Sequence, residues 1–263
     1  MKFENLKNND FALNEKISNV ILIFLLFVRL ASQYLPLVFG SNTPNWYAGI
    51  IYILTAAIVW LNRHRLTALN IDRPFIVALL LSGVFYVIYL IQSVGIFVGI
   101  AVGLIYWAYQ NNQLVFKHPV PRSKRTGLLI LLTVVLALVP VLLVRPKIKT
   151  PLDFQIFITT FLAILVTQLA TIIFEEVLFR GALWAYIRNL GISEQVAFYI
   201  VAVLFWVSHY EYLSLNSPYF FWIAIPILSI LLGLISWRSK SLTQSTIGHF
   251  LFNFTSALIK NIF

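Results

Sequence analysis

Nine apolar stretches, each near the length a helix needs to cross a hydrocarbon layer, run through the chain at roughly 17–39, 46–61, 74–91, 93–109, 127–144, 156–188, 194–210, 218–237 and 243–262. Backbone N–H and C=O groups in lipid must be satisfied within the segment itself, so such stretches fold as helices that pack side by side. The expected fold class is all-α, a polytopic transmembrane helical bundle of about eight or nine spans. The range reflects a short second stretch and a third and fourth interrupted only by Gln92 and Ser93.

Composition agrees with this. The chain is 60% hydrophobic and 11% charged, far outside the soluble globular range. Its net charge of +10 is spread through short loops instead of gathered on one face, which argues against a nucleic-acid partner and for a membrane-lipid setting. With the amino terminus inside, thirteen Lys and Arg fall in inner loops and four in outer ones, three of the latter at 145–149. The absence of cysteine excludes disulfide frameworks, thiolate nucleophiles and Cys-ligated metals. Residues 1–16 read as a polar tail, and the run 17–39 is too long for a cleaved signal peptide, so it is expected to stay as the first span. Residues 17–126 form an amino-terminal group of helices with a basic, Pro-containing loop, and 127–263 a carboxy-terminal group whose last four helices hold the unusual polar residues. The expected setting is a multi-pass protein of a bacterial-type plasma membrane with a cytoplasmic amino terminus.

The sequence FEEVLFRG puts Glu175, Glu176 and Arg180 directly behind an apolar run. Each such charge costs about 2.5–3.5 kcal/mol at mid-bilayer, which marks a functional site. On a helix the two glutamates point about 100° apart and cannot share one task. Glu176 stands one turn before Arg180, the favourable order for an ion pair, and reads as a structural clamp. Glu175 shares its face with Thr167, Gln168 and Thr171, a polar stripe that suits a hydrated cavity, and is the candidate general base.

His209 ends FWVSH, which opens at Phe205. With a turn near Gly191 and Ser193 as helix cap, Glu175 lies about 24 Å before the turn and His209 about 27 Å after it, so the two meet at one depth. His249 and Asn253 stand one turn apart on the last helix, suited to donate to a developing oxyanion. Straight-helix geometry nevertheless sets His249 only about 9–13 Å deep, and a tilted or re-entrant last segment would be needed to bring it level. Arg29 also falls inside an apolar run, where snorkelling or a local partner accounts for it, and it receives no role; Glu211 flanks a helix end where a carboxylate is ordinary.

EEVLFR, FWVSH and HFLFN, in this order within about eighty residues of apolar helix, resemble the CPBP family of intramembrane endopeptidases, the CAAX-prenyl-protease and bacteriocin-processing or Abi type, whose patterns are EExxxR, FxxxH and HxxxN. The resemblance covers about residues 155–260. It implies a peptidase acting on a membrane-associated protein or peptide, lipidated in some members. Glu175 would activate water with His209, His249 and Asn253 would form the oxyanion hole, and Glu176, Arg180 and Phe205 would support them. No cofactor is expected: HExxH spacing is absent, and zinc on both histidines, the alternative, would remove the oxyanion donors. A non-catalytic immunity or assembly scaffold and a proton-coupled transporter are the rival readings.

Overall fold

A computed structural model describes residues 2–31, 45–89, 93–116, 124–144, 151–214 and 219–262. It is all-helical, with no strand among the described residues. The helices are α1 (Lys2–Ala31), α2 (Asn45–Leu61), α3 (Arg73–Tyr89), α4 (Ser93–Gln110), α5 (Lys124–Val144), α6 (Phe154–Thr167), α7 (Leu169–Asn189), α8 (Glu194–Val207), the single turn α9 (Glu211–Ser214), α10 (Phe220–Ser239) and α11 (Leu242–Ile262). Within the described residues, the apolar stretches read from the sequence fall on these helices. Among the described residues, α10 alone is long and apolar enough to cross a bilayer by itself, and α6 with α7 forms a second such length. The basic group at 145–149 and the loop 117–123 lie outside the described residues.

The stretch 156–188 is not one span. It bends by 51° at Gln168, where α6 ends and α7 begins. Beyond the bend, Glu176–Leu183 is wound as π-helix, and a second π segment, Phe220–Ala224, opens α10. Pro226 accounts for the second: it has no N–H to return to the preceding turn, and its ring crowds the carbonyl four residues back, so the helix widens there. Local chemistry sets the ends. Asp153 and Ser193 accept from the N–H groups of Ile156 and Val196. Gly191, at φ +80°, makes the turn between α7 and α8 that the sequence suggested.

Close helix approach relies on small and hydroxyl residues, as expected where lipid supplies little drive for association. Ser229 of α10 donates to the Ala202 carbonyl of α8 at 3.0 Å, and Thr133 of α5 to that of Gly248 on α11 at 3.0 Å. Large apolar side chains such as Phe27, Ile96, Phe97, Phe154 and Tyr199 point outward, each more than half exposed, and such a surface suits lipid. At one end of the bundle a polar rim joins the two halves of the chain. Asp72 accepts from the Ser241 and Thr243 hydroxyls at 2.6 Å each, and from Thr243 N–H. Arg188 donates to the Ala68 carbonyl, and Leu242 N–H to that of Asn70.

Candidate active site

On α7 Glu175, Glu176 and Arg180 are withdrawn from the surface, and the structure divides them as helical geometry requires. Glu176 and Arg180 pair one turn apart at 3.3 Å, both buried. The Arg180 guanidinium also lies over the Phe205 ring, 3.9 Å from its centre. Glu175 points elsewhere, and its carboxylate meets groups from three other helices. Oε1 lies 3.1 Å from Nε of Arg29 and 3.7 Å from Nε2 of His209, and Oε2 lies 3.7 Å from Nε2 of His249.

His209 follows the end of α8. Its Nδ1 donates to the Phe205 carbonyl at 2.7 Å, which fixes the ring and turns Nε2 toward Glu175. Phe205 is the common platform, its ring 4.4 Å from that of His209, 5.9 Å from that of His249 and edge-on to Phe179. An aromatic one turn before the histidine therefore supports both imidazoles and the buried guanidinium. On α11, Nδ1 of His249 donates to Glu176 Oε1 at 3.0 Å, leaving Nε2 to face Glu175. Asn253 donates to the side-chain oxygen of Gln168 at 3.0 Å, so the residue at the bend orients the amide.

All four candidate catalytic residues line one cavity of about 400 Å³. Aromatic side chains make up much of the rest of its lining, with Tyr47, Tyr52, Tyr86, Tyr212 and Phe252. The depth discrepancy for His249 disappears because α11 starts at the level of Gly181, eight residues before the end of α7. Leu242, its first residue, packs against Gly181, where any side chain would meet Leu242 Cδ1 at 3.4 Å and the Leu69 carbonyl at 3.3 Å. From that level, seven residues bring His249 to Glu176.

Two readings of the sequence are corrected. The polar stripe beside Glu175 is interrupted: Gln168 and Thr171 line the cavity, but Thr167 lies beyond the bend and donates to the Ala163 carbonyl. Arg29, given no role above, is an ion-pair partner of Glu175, and Glu211 is its second partner at 3.4 Å. A lone cation within an apolar run was the signal that could have found Arg29, but nothing in the spacing says which carboxylate it meets. As for a metal, no group of three His, Asp or Glu side chains among the described residues is arranged to hold one. The Arg29 guanidinium already lies on Glu175 Oε1.

Residues 157–255 match the model of the family described as type II CAAX prenyl endopeptidase Rce1-like, consistent with the CPBP family. The match covers most of α6, α7 to α10 and most of α11, and by it this part of the chain is similar to a membrane peptidase domain. No curated protein and no solved structure matched the chain.

Proposed function

We propose that the protein is an intramembrane endopeptidase in which Glu175 and His209 activate water and His249 and Asn253 receive the oxyanion. The observation that carries this is the convergence of Glu175, His209 and His249, from three helices, across gaps of 3.7 Å at the wall of one cavity that Asn253 also lines. A water beside Glu175 Oε1 and His209 Nε2 reaches both at hydrogen-bond distance. Glu175 takes a proton from that water as its oxygen bonds to the peptide carbonyl carbon. The negative charge that forms on the carbonyl oxygen faces the second N–H of Asn253 and Nε2 of His249, whose ring must be in the imidazolium form to donate there while Nδ1 donates to Glu176. Both groups are held in advance, by Glu176 and by Gln168, so little reorganisation is needed. When the C–N bond breaks, the proton passes from Glu175 to the leaving amine. No step requires a metal.

The aromatic wall favours a peptide with apolar residues beside the scissile bond, and a prenylated tail is one substrate of that kind. The polar rim holds Arg65, Arg188 and Lys240 beside Glu15 and Glu194. Basic residues at that end support a multi-pass arrangement with the rim, and the amino terminus, facing the cytoplasm.

Purified protein should be assayed with prenylated and unprenylated CAAX-type peptides, and membrane proteomes compared between wild type and Glu175→Ala. Glu175→Gln should abolish cleavage, and Asn253→Ala should lower turnover by about 10²–10³ with the fold intact. Full biological effect from Glu175→Gln, without proteolysis, would favour the scaffold. Proton-coupled flux in liposomes that survives loss of His249 would favour the transporter. Cleavage in the presence of a strong chelator should match cleavage without it; loss restored by zinc overturns the metal-free mechanism.

A further inference from the structure

Within the site, Glu176 has its own guanidinium, Arg180, on the same helix. The guanidinium on Glu175 comes from α1, more than a hundred residues before the segment that matches the peptidase family. Ser18, Leu22, Leu25 and Arg29 are all buried and recur at helical spacing, whereas Val20, Ile23 and Phe27 are exposed. Arg29 thus ends the inward stripe of α1 and does not snorkel. The backbone on either side of it is pinned, with Tyr47 donating to the Val28 carbonyl at 3.4 Å and Tyr210 to the Leu30 carbonyl at 3.2 Å. Its Nη2 reaches Glu211, two residues after His209. Nε is left for Glu175 Oε1, the oxygen that also faces His209.

We infer that Arg29 is a positioning residue for hydrolysis: it anchors Oε1 of Glu175, so that the carboxylate spans His209 and His249 in the orientation that water activation needs. The inference rests on the reading of Glu175 as general base. A carboxylate in a low-dielectric cavity without this anchor has Arg180 as its nearest remaining cation, and Arg180 is held by Glu176. Loss of Arg29 would then turn toward Arg180 a carboxylate that must instead face the histidines. A role confined to neutralising charge would be met by any cation, so Lys would then match Arg in kcat. Anchoring is read in kcat.

Cleavage of a prenylated CAAX-type peptide by the full chain in detergent separates these. Arg29→Gln is expected to lower kcat by about 10²-fold with KM within about threefold, and Arg29→Lys to recover part of the loss, leaving kcat about five- to twentyfold below wild type. Arg29→Gln within about threefold of wild type, a change in KM alone, or Lys no better than Gln overturns the inference. If Arg29→Gln does not purify as a folded species, Arg29→Lys against wild type decides: a kcat about five- to twentyfold lower at unchanged KM supports anchoring, and a wild-type kcat rejects it. Glu175→Gln, measured alongside, separates the two layers. If it remains active, the general-base reading fails; if it is inactive while Arg29→Gln is active, the role of Arg29 fails.

Discussion

At the scale of single residues, two adjacent glutamates are stabilised in different ways, and the difference is measurable. Glu176 is bound to Arg180 and His249 with no exposure. Glu176→Gln therefore leaves a buried guanidinium without its carboxylate, which should cost about 3–5 kcal/mol and lower the melting temperature sharply. Arg29, by contrast, keeps Glu211 when Glu175 is replaced. Glu175→Gln should therefore melt much closer to wild type than Glu176→Gln while losing turnover completely; equal melting temperatures would contradict this division of roles. Gln168 permits a finer test. Gln168→Met keeps the length of the side chain but cannot accept from Asn253, and should lower kcat by about tenfold. In an Asn253→Ala background the same change should have little further effect, because the two act as one unit. The sequence marked Glu175, Glu176 and Arg180 because charge in an apolar run is conspicuous. It left Arg29 unassigned because an ion pair across 146 residues has no local pattern.

At the scale of helices, period and length were enough to place the elements, and small departures from ideal helix decide whether the site closes. The bend at Gln168 has neither Pro nor Gly to announce it, and apolar residues continue on both sides. Straight-helix reckoning therefore read one long span. Spacing about Gly191 gave the depth of His209 correctly because α7 and α8 meet in a short hairpin with an ordinary cap. What spacing could not give is where α11 starts, which depends on Leu242 meeting the bare backbone of Gly181. Gly181→Ala adds one methyl at 3.3–3.4 Å from its neighbours and should be tolerated with modest loss. Gly181→Val adds branches with nowhere to go. It should push the start of α11 outward, part His249 from Glu176 and reduce kcat by more than about tenfold. Thermal unfolding measured with the kinetics tells displacement of the site from loss of the fold.

At the scale of the whole molecule, the site is shared between the segment that matches the peptidase family and helices outside it. The matched segment supplies Glu175, His209, His249 and Asn253. From α1 comes the cation on Glu175, and from α2 and α3 the tyrosine wall of the cavity. From α5 comes the Thr133 hydroxyl held by the Gly248 carbonyl, beside His249. Asp72 completes the start of α11 from a distance of 169 residues or more, accepting from the Thr243 N–H while Ser241 accepts from that of Gln244. A carboxylate and a cap at a helix amino terminus both stabilise it, so Asp72→Ala should cost about 1–3 kcal/mol and loosen the very helix that carries His249 and Asn253. A stronger test follows from the same contacts. A chain beginning at residue 151 keeps every residue of the three motifs and the whole matched segment, but loses Arg29, Asp72, Thr133 and one wall of the cavity. If the motifs alone made the enzyme, that chain in membranes would cleave peptide. The packing predicts that it does not, and that co-expression with residues 1–150 restores cleavage, because the partners of Glu175 and α11 return through contacts that need no covalent link. Cleavage by residues 151–263 alone, at a rate near wild type, would show that the amino-terminal helices serve the membrane and not the chemistry.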